Sequence, residues 1–166
     1  MSILKDLFSG KVKQFPGADL GGADLGGADL SNSCLILANL YKAHLGRVNL
    51  NDANLTRALM VGANLNNATL INAYLYGVNL NEASAENANL SGVDMRSGFA
   101  NNANFSRANF SGANLAGASF SGANLSGANL DGADVAGADF SGANFTGVKT
   151  DKICNFNQAI TKGIKL

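Results

Sequence analysis

Proline occurs once in this chain, at Pro16, against 20 glycines. A disordered linker rich in both residues is thereby excluded. Charge is scarce as well. Only 14% of residues are Asp, Glu, Lys or Arg, and 12 basic residues balance 12 acidic ones. No net field is left to draw in nucleic acid or acidic lipid, so solubility rests on Asn and Ser. Two cysteines, Cys34 and Cys154, are too few for a disulfide framework. No apolar run approaches the ~20 residues needed to span a bilayer. The opening "MSILKDLFSGKVKQ" has an apolar patch but no cationic start, long apolar centre or small-residue cleavage site. These absences predict a cytoplasmic chain without a membrane partner.

What is present is a period of five. Leu20, Leu25, Leu30, Leu35, Leu40, Leu45, Leu50 and Leu55 fall five apart, and the series runs in phase to Phe140 and Phe145. Two residues before each stands a small residue, from Ala18, Ala23 and Ala28 to Ala138 and Ala143, with Asn or Asp usually between the two. Apolar, polar, apolar is a short piece of strand with two residues facing one way. The next two residues, rich in Gly, Asn and Ser, suit a tight turn. A chain of strands and corners must coil, stacking turn upon turn at the inter-strand spacing of ~4.8 Å. An α-helix does not fit, because five residues advance about 500° and scatter the leucines around its axis.

The signature A(D/N)Lxx, as in "GGADLGGADLSNS" and "SGANLSGANLDGAD", resembles that of the pentapeptide-repeat family over about residues 16–150. The resemblance implies an all-β fold, a right-handed quadrilateral β-helix with four pentads per turn. Most members have no known activity. An internal check agrees with twenty residues per turn: the central positions Ala85 and Ala100 are small, and Phe105 and Phe120 follow them by twenty. A large neighbour filling the space beside a small one is what interior packing demands.

The ends read differently. Ile3, Leu4, Leu7 and Phe8 have one-faced helical spacing, with Ser2 as N-cap and Gly10 as stop, so residues 1–15 are expected to form a short capping helix. The repeat occupies 16–150, and 151–166 form an irregular last turn. There the phase is expected to slip by one residue after Val148, which would place Cys154 with Phe156, Ala159 with Thr161 and Ile164 with Leu166 on the inside. Cys34 and Cys154 would then lie ~29 Å apart, far beyond disulfide reach. An open solenoid end invites edge pairing, so the last turn is expected to be covered by its own tail or to form a homodimer.

No constellation for catalysis emerges. His44 falls in an outward slot, and a Ser-His-acid site needs a pocket that a packed interior does not leave. Asp19, Asp24 and Asp29 suggest calcium, but their period is five rather than the nonapeptide of calcium-binding rolls, and they face three different sides. Phosphate-binding glycine loops, zinc spacings and basic stripes do not appear, nor does a threonine row suited to ice. The expectation is a non-enzyme without cofactor or metal that does not bind nucleic acid directly. Three functions remain: a rigid module for an unidentified protein partner, a DNA mimic, or a structural rod without a specific partner. Some members of the family act on DNA gyrase by imitating the duplex with a strongly acidic rod. Here Lys42, Arg47, Arg57, Arg96 and Arg107 interrupt the acidic surface, which removes most of that attraction. A partner surface is expected instead where outward slots depart from Asn, Ser, Asp and Gly. Under a twenty-residue turn, Ile36, Leu37, Arg57, Tyr74, Tyr76 and Arg96 line one side and its corner, beside Cys34. Tyr41, Lys42, Leu59, Val61 and Phe99 line the next.

Overall fold

The computed structural model describes residues 13–166. The expected capping helix over Ile3, Leu4, Leu7 and Phe8 lies outside the described residues. From Gln14 onward the chain is a β-helix of four pentads per coil. Each outward residue forms a parallel bridge with the residue twenty positions on, from Gln14 with Cys34 to Asp134 with Cys154.

The hydrogen bonds of one pentad explain the repeat. In Ala38–Lys42, the Asn39 amide donates to the Ala18 carbonyl of the coil before at 2.9 Å. The Leu40 and Lys42 amides donate to Leu59 and Val61 of the coil after, at 2.7 and 2.9 Å. The Ala38 amide closes the preceding corner on the Leu35 carbonyl at 3.0 Å. Four of the five donors are thus used by backbone. The fifth, on Tyr41, is taken by the Asn39 side-chain oxygen at 3.1 Å. Every backbone donor near the core needs an acceptor, so the slot between Ala and Leu calls for Asn or Asp. From Gly17 to Gly147 the third residue of each corner has positive φ, with 65° at Gly22 as one case. Positive φ at that position alone is the type II pattern, which favours Gly or Asn.

Four walls result. Wall one carries Cys34, Asn54, Tyr74 and Asp94, and wall two carries Asn39, Leu59, Asn79 and Phe99. Wall three carries His44, Asn64, Asn104 and Asn124, and wall four carries Asn49, Thr69, Asn89 and Asn109. Inside, the Ala and Leu/Phe columns are buried along the rod. The expected columns Leu40–Met60–Leu80–Ala100–Phe120 and Leu45–Leu65–Ala85–Phe105–Leu125 are fully enclosed. Phe105 packs edge-on against Phe110 and Phe120, with ring centroids 5.2 and 5.8 Å apart. Such pairing adds to the area each ring removes from water.

The C-terminal slip falls later than Val148. Cys154 still bridges Asp134 in phase and is exposed in an outward slot, so it does not occupy the interior. Its place is taken by Val148 and Ile153, which pack against the core. The extra residue enters at a one-turn 3₁₀ segment, Phe156–Gln158, preceded by Asn155 in the left-handed region. Beyond it the bridge spacing becomes 21 residues, Asp139 with Ile160 and Asn144 with Lys165. Phe156, Ala159 and Ile164 are partly buried against the core, whereas Leu166 is 91% exposed. Phe156 drives this arrangement: a bulky ring needs the interior, and the added residue lets it turn toward Phe145, 6.3 Å away. Among the described residues no helix is long and apolar enough to cross a membrane.

Candidate interaction surface

The acidic and histidine candidates resolve into scaffold roles. Asp19, Asp24 and Asp29 stand on three different walls, and each accepts the amide two residues on, from Gly21, Gly26 and Ser31 at 3.3, 3.1 and 3.0 Å. Lys13 and Ser31 hold the Asp29 carboxyl below the usual range, the hydrogen bonds from Ser31 contributing most. His44 is exposed on wall three. Among the described residues no group of His, Cys, Asp and Glu gathers around a common metal position.

Walls three and four are polar ladders. Asn124 donates to Asn104 at 3.1 Å and Asn144 to Asn124 at 3.3 Å, while Asn109 and Asn129 repeat the pattern on wall four. Walls one and two differ. Leu37, Tyr41, Leu59, Tyr74, Tyr76 and Phe99 are exposed there, Leu37 at 62% and Tyr74 at 55%. Among the described residues the remaining large exposed apolar side chains, Ile160 and Leu166, lie in the last coil. Ile36 and Val61 are half-buried beside them, and Lys42, Arg57 and Arg96 are exposed among them. The structure thus brings all eleven sequence candidates onto two adjoining walls and the edges that bound them, within four consecutive coils.

Cations on this surface rest on aromatic rings. The Arg96 guanidinium lies 5.9 Å from the Tyr76 ring centroid and makes a two-pronged ion pair with Asp94, at 2.8 and 2.7 Å. That contact lowers the Asp94 carboxyl below its ordinary range, its hydrogen bond from Arg96 being the largest cause, and raises Arg96. Lys42 lies 5.2 Å from the Tyr41 centroid. Its stem covers Gly62 one coil on, where an added methyl group would come within 3.2 Å of the Lys42 Cγ. Arg57 covers Gly77 in the same way at 3.4 Å. Glycine above a long corner side chain therefore gives its stem a bed.

Two further features escaped the sequence. Leu37, Lys42 and Arg57 hold φ of 58°, 51° and 56° at corners where glycine is favoured, each at a cost of about 1 kcal/mol or more. Arg47, Asp52, Glu82, Ser97 and Arg107 share the conformation, all between coils two and five of the rod. The signal was legible as non-glycine, non-asparagine residues at every fifth position, once the corner type was known. The second feature is lost corner acceptors. Among the described residues before the last coil, the corner amides of Ile36, Gly46, Val61 and Tyr76 have no acceptor in the chain, because Cys34, His44, Leu59 and Tyr74 replace Asn or Asp two residues earlier. Phe99 makes the same replacement, but its corner amide, on Asn101, is rescued by Asn81 at 2.8 Å.

Comparison with known proteins places this geometry. The curated proteins give no match. Among solved structures, one similar chain is the pentapeptide repeat protein Rfr23 from the cyanobacterium Cyanothece 51142, with 30% identity, a TM-score of 0.43 and 58% of each chain covered. This chain therefore spans less than two thirds of that protein. A trypsin-treated form of QnrB1, a plasmid-mediated fluoroquinolone resistance protein, is 22% identical, with 92% of this chain and 81% of that one covered and a TM-score of 0.64. At that identity the likeness shows the fold alone. HetL, a pentapeptide repeat protein involved in heterocyst differentiation regulation from the cyanobacterium Nostoc, is 24% identical, with 100% and 94% of the two chains covered and a TM-score of 0.37. The pentapeptide-repeat model matches in 8 copies, across residues 14–52, 33–70, 49–84, 58–96, 88–127 and 108–147. With most of its length accounted for by that repeat, the chain belongs to the pentapeptide-repeat family.

Proposed function

We propose that the protein is a non-enzymatic, rigid interaction module that engages another protein through walls one and two of its middle coils. The observation that carries this reading is that departures from the repeat's own rules concentrate on one surface. Among the described residues before the last coil, the large exposed apolar side chains lie there. So do three of the four unaccepted corner amides, those of Ile36, Val61 and Tyr76, Gly46 being the exception. The strained corners Leu37, Lys42 and Arg57 lie there as well. Exposed aromatic and aliphatic residues, left-handed corners without glycine, and corner amides without acceptors each oppose stability. Local rules broken together in one place are the mark of a surface kept for another purpose. The residue types agree, since Tyr and Arg dominate the energetics of protein interfaces.

Imitation of duplex DNA is the weaker reading. It needs a dominant negative field, and the middle coils carry Lys42, Arg57 and Arg96 on a chain of zero formal net charge. Homodimerisation through the last coil belongs to the interaction reading: a second copy stacked there would cover Ile153, Phe156 and Ile164, which are only partly buried. Light scattering of the purified chain that gives a monomer removes it.

Replacing Tyr76→Ala together with Phe99→Ala tests the surface. Both rings are exposed, so the melting temperature should stay within a few degrees while capture of the partner from native extract is lost. Retained capture, or unfolding of the double variant, shows the rings to be structural.

A further inference from the structure

We propose that the partner offers a cleft, lined by apolar groups with carboxylates among them, into which the edge between walls one and two inserts as a wedge. The inference rests on the interaction reading above and adds the partner's shape and charge. Shape comes first. With four corners per coil the edge is convex and turns through about 90°, as any four-sided coil requires. Tyr74 lies on one flank, Leu59 and Phe99 on the other, and Leu37 and Arg57 on the crest. A flat surface or a single helix reaches one flank only. The patch spans four coils, ~14 Å at the stacking distance, and two three-residue walls of ~10 Å each, or roughly 300 Å² in projection. That is below half of the ~800 Å² each partner buries in a standard interface. A second copy meeting it edge to edge would bury less still, because two convex edges touch along a line. A cleft that wraps both walls is the one arrangement that buries the whole patch.

Charge and hydrogen bonding then set the chemistry of the cleft. Hydrogen-bond donors without a partner stand both on this edge, at Arg57 and Tyr76, and on the far edge of wall two, at Lys42 and Val61. Lys42 and Arg57 form no ion pair among the described residues. The Val61 and Tyr76 amides lack an acceptor in the chain. Asp94 is already engaged by Arg96. Elsewhere on the rod such an amide is met by a carboxylate or carboxamide oxygen, as Gly26 is by Asp24 at 3.1 Å. A partner carboxylate can occupy the position that Leu59 and Tyr74 leave vacant, and it also neutralises the neighbouring cation.

Photo-crosslinking tests both parts. A benzophenone amino acid is placed in the full chain at position 74, at 99, or at 124 on wall three as control, irradiated in the native cells, and mapped by peptide mass spectrometry. The expected result is one partner linked from both 74 and 99, through residues on opposing sides of a single cleft that carries Asp or Glu, and no link from 124. Links from one flank only, or to a flat or basic surface, overturn the wedge while leaving the interaction reading intact. No link from either flank, or equal linking from 124, overturns both. Lys42→Glu with Arg57→Glu should lower the yield at 74 and 99 about tenfold or more, since close charge pairs couple strongly. A melting curve confirms that this variant folds. An unchanged or increased yield in the folded variant overturns the carboxylate lining, and if it does not fold, Lys42→Gln with Arg57→Gln replaces it under the same criterion.

Discussion

The wall that carries Asn64, Asn104 and Asn124 and the wall that carries Leu59 and Phe99 are built on the same backbone, with bridges at the same spacing and the same buried columns behind them. They differ in what each outward side chain does for its own corner. On the first, the side-chain oxygen of Asn124 takes the amide of Ser126 at 3.1 Å and its nitrogen reaches Asn104 at 3.1 Å. On the second, Leu59 offers nothing to Val61, and the adjoining corners hold Leu37 and Lys42 in a backbone region suited to glycine. The backbone ladder and the core suffice to hold a coil, so the outer side chains of any one wall are free to be used otherwise. The fold can carry a surface that costs it stability because most corners of the opposite walls keep their own acceptor, Gly46 beside His44 being the exception.

The largest effect should come from what the walls share. Phe105→Ala removes a fully buried ring beside Ala85 and should destabilise the rod by about 3–5 kcal/mol in denaturant melts. A loss below about 1 kcal/mol would mean that neighbouring rings close the cavity and the core is softer than its packing indicates. A reciprocal exchange sharpens the contrast between the walls. Asn124→Leu strips the Ser126 amide of its acceptor and breaks a ladder, so it should destabilise by about 1–3 kcal/mol, whereas Leu59→Asn restores an acceptor to Val61 and should stabilise by about 0.5–1.5 kcal/mol. Equal signs for the two would sink the idea that the outward slot serves its own corner as an acceptor.

Corner strain is the next increment. Leu37→Gly relieves a left-handed non-glycine residue and should raise stability by up to about 1 kcal/mol. The same change should weaken partner capture if the crest takes part in binding. Thermal melts read the first effect and crosslinking yield the second. The smallest effect concerns acid. Asp94 is depressed chiefly by its hydrogen bond from Arg96, so its contribution is fully present above the ordinary aspartate value and is lost as the pH falls through the depressed one. Because the Arg96 side chain is half exposed, solvent screens most of that contribution. Asp94→Asn should therefore abolish a slight acid-side slope in stability without changing the melt at neutral pH by more than about 0.5 kcal/mol.

By itself the sequence determined a coil of short strands and corners and the apolar columns inside it, because a strict period of five with small and large apolar residues in fixed slots does not fit an α-helix. Four sides per coil, and with them the membership of each wall, came from the resemblance to the pentapeptide-repeat family and agree with bridges twenty residues apart. The eleven surface candidates were legible for the same reason: once the coil length is known, residue number alone assigns a wall. Tertiary structure decided what depends on contacts between coils or on competition within one. The place of the C-terminal slip was settled by Phe156 seeking the interior ahead of Cys154, a contest of packing that no pattern displays. The strain at Leu37, Lys42 and Arg57 and the unpartnered amides at Val61 and Tyr76 became visible only when the corner type and the acceptor of every amide were known. Backbone hydrogen bonds join residues twenty apart, and their satisfaction is a property of the stacked coils that the pentad alone does not contain.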